Sequence, residues 1–174
     1  DLETLATAYY WVELVDQLTQ PHDPHEPIFE LLQFVFHALT SLPPSFLSRF
    51  FEIRLLREVG LLPHLEGCLG CGVKDPEKIY FSIRQGAIFC PACRRQAPES
   101  KLLSRGVLES MRRLQEIKEQ ASFSGMGDVL TPPVEREMEG IMERFLVDRL
   151  GKRLLTRRFL SQVKSLKVIY SNRL

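Results

Sequence analysis

The sequence predicts a mostly α fold, a helical domain with an inserted small four-cysteine β-hairpin. Two observations lead to this prediction. Apolar residues recur at helical spacing over most of the 174 residues. That spacing is interrupted once, between two Cys-x-x-Cys pairs that hold all four cysteines of the chain, Cys68, Cys71, Cys90 and Cys93.

Three helices are predicted in the first 60 residues. The first covers 2–18, where apolar residues recur every three or four positions. The second, over 28–39, is apolar nearly all round, which is typical of a buried helix. The third follows a pair of prolines, with Ser45 as its capping residue, and ends at Gly60, since glycine commonly follows the last helical residue.

The segment between the two cysteine pairs is predicted to form a β-hairpin. The segments "IYFSI" and "AIFC" flank Arg84, Gln85 and Gly86, and a glycine in such a turn is a hairpin signal. Helical spacing then returns over 107–120, followed by a glycine-containing loop at 122–128.

Two further helices complete the chain, at about 133–150 and 156–168, with Gly151 between them. The expected division is a helical body, first part, at 1–66; the four-cysteine insertion at 67–96; and a second helical part with a basic face at 97–174.

Composition and charge narrow the possible functions. Hydrophobic residues make up 44% and charged residues 26%, as in ordinary globular proteins. The sequence has no apolar run long enough to span a membrane and no secretory signal at its start. No Ser-His-Asp or paired-carboxylate arrangement stands out.

Charge is divided unevenly along the chain. Residues 1–93 carry 6 Lys/Arg and 12 Asp/Glu, whereas residues 94–174 carry 17 and 10. No acidic residue follows Asp148. This basic, partly apolar end is interpreted as an ordinary solvated helix face, as a phosphate-contacting surface, or as a surface that grips an acidic peptide.

The spacing Cys-x2-Cys-x18-Cys-x2-Cys favours a zinc-ribbon-like site, in which two tight turns aim four thiolates at one metal ion. Four protein ligands leave no open position, so this Zn²⁺, one per chain, would be structural. Two disulfides, a redox-active pair and an iron–sulfur cluster are the alternatives. His64 lies close by but is not needed as a ligand.

A family resemblance comes from the order of these features. "RFFEIRLLREVGLLPHLEGCLGCG" followed by "YFSIRQGAIFCPAC" resembles the central and C-terminal part of RecO, a bacterial recombination-mediator family, and the later "LGKRLLTRRFL" is similar to its C-terminal stretch. Thr156 stands where the family has a serine. The resemblance covers most of 28–168.

The resemblance implies a non-enzymatic, cytoplasmic, nucleoid-associated bacterial protein. RecO-like proteins bind single- and double-stranded DNA, anneal strands, and with RecR help load recombinase onto DNA coated by single-strand-binding protein, whose acidic C-terminal tail they engage. The family also has an N-terminal OB-fold. No run of five short strands precedes residue 28, so we expect that domain to be missing from this sequence.

Two functions from different classes follow, a DNA-binding repair mediator and a scaffold that binds RecR and the acidic tail without binding DNA. A redox enzyme that uses one cysteine pair is a third possibility. The basic residues expected to contact DNA or the acidic tail are Arg49, Arg54, Arg57, Arg149, Lys152, Arg153, Arg157, Arg158, Lys164 and Lys167.

Overall fold

The computed structural model describes residues 1–22, 24–117 and 130–171, with side chains described as far as Leu166. In chain order the elements are α1 (Leu2–Leu18), α2 (Glu26–Ala38), α3 (Pro44–Glu58), β1 (Ile79–Ser82), β2 (Ala87–Phe89), a 3-10 turn (Arg94–Gln96), β3 (Lys101–Leu103), α4 (Arg105–Glu116), α5 (Pro132–Leu150) and α6 (Leu155–Ser171). The predicted fold class, mostly helical with a small four-cysteine hairpin, is confirmed. The predicted loop at 122–128 lies outside the described residues.

The chain forms two compact units, 1–59 with 150–174 and 60–149. The second unit places the cysteine hairpin together with α4 and most of α5. The division at 1–66, 67–96 and 97–174 stays a prediction.

The first unit is a helical cluster in which α1 packs on α6, α2 and α3. Trp11 lies in its core, and its ring centroid is 5.5 Å from that of Phe51 and 6.0 Å from that of Phe36. Every residue of α3 from Phe46 to Leu56 is buried. A helix buried all round packs its polar residues inside the protein as well, and those polar groups then need internal partners.

The ends of the helices follow local chemistry, with one correction. The expectation that Ser45 caps α3 is wrong, because the helix already begins at Pro44 and Pro43 precedes it without a side-chain cap. Proline suits the first helical position, since it has no N–H to leave unsatisfied there. Gly60 and Gly151 follow α3 and α5 with φ of +72° and +67°, the conformation expected for glycines that end a helix.

The second unit contains a three-stranded antiparallel sheet in the order β2-β1-β3. The β1–β2 hairpin is the predicted one, and Gly86 in its turn has φ of +61°. The third strand was not predicted. It pairs with β1 so that Lys101 lies opposite Phe81 and Leu103 opposite Ile79, and it leads directly into α4, whose first turn is capped by the Ser104 hydroxyl.

Candidate metal centre and basic residues

The first Cys-x-x-Cys pair lies in a tight backbone turn. The Gly72 N–H donates to the Cys68 carbonyl (2.7 Å), and the Cys68 N–H donates to the Val73 carbonyl (2.8 Å). Gly70 must be glycine for a steric reason, because a Cβ there would lie 2.8 Å from the Cβ and 2.9 Å from the Sγ of Cys93. The two cysteine pairs therefore approach too closely for a side chain between them.

The hairpin brings the second pair to the first. Residues 64–69 run beside β2, with the His64 N–H donating to Gly86 (2.8 Å) and the Leu69 N–H donating to Ile88 (2.9 Å). Cys90 directly follows β2, and a turn closes when the Cys93 N–H donates to the Cys90 carbonyl (3.2 Å). Both pairs are thus held at the same end of one strand.

The four cysteines converge. Their Sγ atoms all lie within 4.8 Å of one another, and those of Cys71 and Cys90 are 3.8 Å apart. A tetrahedral zinc with Zn–S bonds of about 2.3 Å places its sulfurs about 3.8 Å apart. All four are free cysteines, so the alternative of two disulfides has no support in this arrangement.

The pKa values of the cysteine thiols in this cluster also favour binding of a cation. Burial alone raises the pKa of Cys68, but N–H groups of Cys90, Gly70 and Cys71 that point at its sulfur outweigh burial and lower the pKa to about 6. Hydrogen bonds with the Cys71 and Cys90 thiols raise the pKa of Cys93 to about 12. Thiols this close together cannot all ionise without a cation, because their negative charges repel one another. A divalent cation neutralises that repulsion. The donor set and its spacing are compatible with a zinc site.

Arg112 of α4 holds the first cysteine turn from outside, a role that the sequence did not reveal. Its Nε donates to the Leu65 carbonyl (2.8 Å), and its Nη2 donates to Lys74 (3.0 Å) and Glu66 (3.2 Å). Its Nη1 lies 3.0 Å from an Asp75 carboxylate oxygen. One guanidinium thus joins the segments before and after the turn, which are separated from it by 37 to 47 positions.

Arg149 also stabilises a turn by donating hydrogen bonds to backbone carbonyls. Its Nη2 donates to the carbonyls of Ile83 and Arg84, both at 3.1 Å, and its guanidinium stacks 4.6 Å from the centre of the Phe145 ring. A Cβ at Gly86 would lie 2.9 Å from this Nη2. In the structure its guanidinium supports the hairpin turn. The contact of Arg149 with DNA or an acidic tail stays a prediction.

The predicted basic set on α3 lies largely inside its unit, and its contact with DNA or an acidic tail stays a prediction. The Arg49 side chain is 2% exposed, and its Nη2 lies 2.6 Å from a Glu52 carboxylate oxygen. Arg54 is buried and Arg57 is half-buried. These three arginines do not form an exposed basic surface, because α3 is buried from Phe46 to Leu56.

Of the predicted residues in the C-terminal segment, Lys152, Arg153 and Arg158 are exposed. Arg157 is half-buried, with its guanidinium 5.5 Å from the centre of the Tyr10 ring. Lys164 is half-buried, and the side chain of Lys167 lies outside the described residues. In the part of the chain that the structure describes, no helix is long and apolar enough to cross a membrane.

The fold and the cysteine cluster together define a class of protein. It is a helical domain with two Cys-x-x-Cys turns, whose four thiols converge in an arrangement compatible with a metal centre. The family described as "Recombination protein O C terminal" matches residues 1–158. The chain belongs to this family, as its resemblance to RecO predicts.

Relatives with curated names support the same family assignment. The chain is 36% identical over 165 residues to "DNA repair protein RecO" of Anaeromyxobacter sp. (strain K), covering 94% of this chain and 64% of that protein. It is 31% identical over 166 residues to the protein of the same name from Moorella thermoacetica, covering 94% and 61%. The protein of that name from Myxococcus xanthus is 32% identical over 166 residues. The chain thus spans less than two thirds of the length of these relatives.

Proposed function

We propose that Cys68, Cys71, Cys90 and Cys93 bind one structural Zn²⁺ per chain. The convergence of four sulfurs within 4.8 Å supports this proposal. Zinc would join the two turns and neutralise their thiolates, and the closed ligand set would leave no position for a reacting water. Metal analysis of the purified chain should give one zinc, with thiols that react only after chelation. Thiols that react freely without chelation would instead favour the redox alternative.

We propose further that the chain is a non-catalytic DNA-repair and recombination mediator domain. Its family membership over residues 1–158 is the observation that carries this proposal. The partners expected from the resemblance are single- and double-stranded DNA, RecR and the acidic tail of single-strand-binding protein. Among the described side chains predicted to make these contacts, the exposed ones are Lys152, Arg153 and Arg158.

Binding of a labelled single-stranded oligonucleotide tests the DNA contact. Replacing Lys152, Arg153 and Arg158 with glutamine should weaken binding and reduce its salt dependence by about three charges. The matched control replaces Arg95, Arg113 and Arg136, which are also exposed but belong to the other unit. Equal loss in both triple variants would mean non-specific attraction and would contradict the assignment.

The second candidate function is a scaffold that binds RecR and the acidic tail without binding DNA itself. The internal use of Arg49 and Arg149 favours it, since fewer basic groups remain for phosphates than the sequence suggests. Titrating labelled tail peptide and labelled oligonucleotide separately against the chain distinguishes the two. Saturable peptide binding without oligonucleotide binding at physiological salt would favour the scaffold.

A further inference from the structure

The outer side of α1 carries an apolar stripe. Its four residues recur every three or four positions and therefore share one face of the helix: Leu2, Leu5, Tyr9 and Val12. Their exposed fractions are between 49% and 58%. The buried residues of α1, among them Trp11 and Leu14, lie on the opposite side. A helix at the surface of a globular protein usually turns polar residues to solvent, so α1 has one apolar face more than the fold of its unit uses.

A second stripe runs along α6. It consists of three residues that are four and seven positions apart, Leu155, Phe159 and Leu166. Their exposed fractions are 80%, 42% and 50%. The buried residues Leu160 and Val163 face the interior of the same unit. Like α1, the described part of α6 thus has an inner and an outer apolar side.

The helices α1 and α6 pack on each other in antiparallel orientation. Glu13 accepts hydrogen bonds from the N–H groups of Leu155 and Thr156. One residue further along α6, the Arg157 guanidinium lies 5.5 Å from the centre of the Tyr10 ring. Contacts that advance along α6 therefore go back along α1, which is the pattern of antiparallel helices.

The two stripes face the same way. On α1 the stripe residues come directly before the contact residues Tyr10 and Glu13. On α6 they come directly before Thr156 and the buried Leu160. An antiparallel helix pair has an approximate two-fold axis perpendicular to its plane, so equivalent positions on the two helices lie on the same side of that plane. We call this joint surface, formed by the two stripes, the α1–α6 face.

The α1–α6 face is large for a monomer. If a large apolar side chain has about 200 Å² of accessible surface, the seven side chains at their exposed fractions present about 700 Å². The largest apolar patch of a typical monomer is about 300–600 Å². Two copies joined through this face would bury about 1,400 Å² together, and standard specific interfaces bury about 1,200–2,000 Å². The area is thus sufficient for a specific dimer.

The two helices also carry opposite charges. α1 has three acidic residues and no Lys or Arg: Glu3, Glu13 and Asp16. α6 has four basic residues and no Asp or Glu: Arg157, Arg158, Lys164 and Lys167. Glu13 already binds α6 of its own chain, whereas the side chains of Asp16 and Arg158 are exposed. A surface with one acidic and one basic half is complementary to itself after a two-fold rotation.

We propose that the α1–α6 face binds a second copy of the chain, in a two-fold symmetric dimer in which α1 of one copy lies over α6 of the other. The apolar stripes of the two copies pack together as in a four-helix bundle. Each acidic α1 meets a basic α6, whereas α1 over α1 would bring like charges together. The acidic α1 also disfavours a nucleic acid or an anionic membrane on this face, since both carry phosphates.

Sedimentation analysis of the chain without nucleic acid tests the dimer, so its outcome does not depend on DNA binding. The expected Kd lies below about 100 µM. Leu5→Ser with Tyr9→Ser should raise this Kd at least about tenfold. Because both positions are exposed, the thermal unfolding midpoint of the dilute monomer should change by less than about 2 °C. The matched control, Phe29→Ser with Leu102→Ser, removes two side chains that are 60% and 64% exposed outside the face and should keep the Kd within about twofold.

A mixture of two variants tests the arrangement of the helices. Tyr9→Arg places a cation against the basic α6 of the partner, and Phe159→Glu places an anion against its acidic α1. Each variant alone should dimerise at least about tenfold more weakly than the unmodified chain. In an equimolar mixture the new charges attract each other across one α1–α6 contact, so a heterodimer should form at least about tenfold more tightly than either variant dimerises alone. This recovery also shows that both variants are folded.

Three results would overturn the proposal. A chain that stays monomeric up to about 500 µM has no dimer of the expected affinity; the face would then have another occupant, such as the part of the longer relatives that this chain does not span. Equal weakening by Phe29→Ser with Leu102→Ser would mean that association does not use the α1–α6 face. A mixture of Tyr9→Arg and Phe159→Glu that stays monomeric would rule out α1 lying over α6 of the partner.

Discussion

Replacing Arg49 with methionine tests whether this residue acts in binding or in stability. Its guanidinium lies 2.6 Å from a Glu52 oxygen that also accepts the Tyr10 hydroxyl hydrogen bond at 2.6 Å. Arg49 and Glu52 are 2% and 1% exposed. Burial and the Glu52 carboxylate raise the pKa of Tyr10, which keeps this hydroxyl a neutral donor. The variant would leave a buried carboxylate with one neutral donor in place of its cation.

The expected loss is large relative to total stability. Removing one partner of a buried ion pair costs about 3–5 kcal/mol, whereas whole domains are stable by about 5–15 kcal/mol. The second nitrogen of Arg49, Nη1, and the second oxygen of Glu52, Oε2, are buried without a hydrogen-bond partner among the described residues. Because this pair is incompletely satisfied, we expect a loss near the lower end, about 3 kcal/mol.

Urea unfolding followed by Trp11 fluorescence measures this loss, and the matched control is Arg158→Met, an exposed arginine on α6. The control should change the free energy of unfolding by less than about 0.5 kcal/mol. The double variant Arg49→Met with Glu52→Leu should recover much of the stability, since it leaves no unpaired buried charge. If Arg49→Met lost less than about 1 kcal/mol but abolished oligonucleotide binding, the structural assignment of Arg49 would be refuted.

Three further predictions concern other contacts. Cys90→Ser should release most of the bound zinc in a metal assay, because the remaining thiolates leave one position of the tetrahedron open. Arg112→Met should destabilise the chain by about 2–3 kcal/mol in urea and speed zinc release to a chelator, whereas Arg113→Met should do neither. Glu13 accepts hydrogen bonds from the N–H groups of Leu155 and Thr156 at the start of α6, so Glu13→Gln should cost about 1 kcal/mol at pH 7. Burial works against ionisation, but the Thr156 bonds lower the pKa of Glu13; the difference from the unmodified chain should therefore shrink as the pH falls through that lowered value.

Features fixed by local chemistry were predictable from the sequence. The helices follow the spacing of apolar residues, and Gly60, Gly86 and Gly151 mark a helix end, a hairpin turn and a second helix end, all with positive φ. Sequence spacing also predicted the convergence of the four cysteines, since two tight turns joined by a hairpin can meet in only a few ways. Each of these features depends on residues that are close together in the chain.

The features that the sequence did not predict depend on residues that lie far apart in the chain. β3 is three residues long, too short to show alternation, and it forms because β1 offers a free edge. The contacts of Arg149 with two backbone carbonyls were not predicted, because these carbonyls lie 65 and 66 positions away in the chain. Nothing in a local pattern distinguishes an arginine that faces solvent from one that closes a distant loop.

Three arginines give a second explanation for the excess of basic residues after residue 93. Within the unit formed by residues 60–149, Arg105, Arg112 and Arg149 come from the basic part of the chain, and all three donate to backbone carbonyls between residues 65 and 84. Arg105 and Arg112 also lie within 4.0 Å of the Asp75 carboxylate. A planar guanidinium holds five N–H donors in a rigid fork, so it can bind several carbonyls of an irregular loop at once. Part of the positive charge after residue 93 therefore stabilises the less regular segment around the cysteines, and only the remainder is available to a phosphate or an acidic partner.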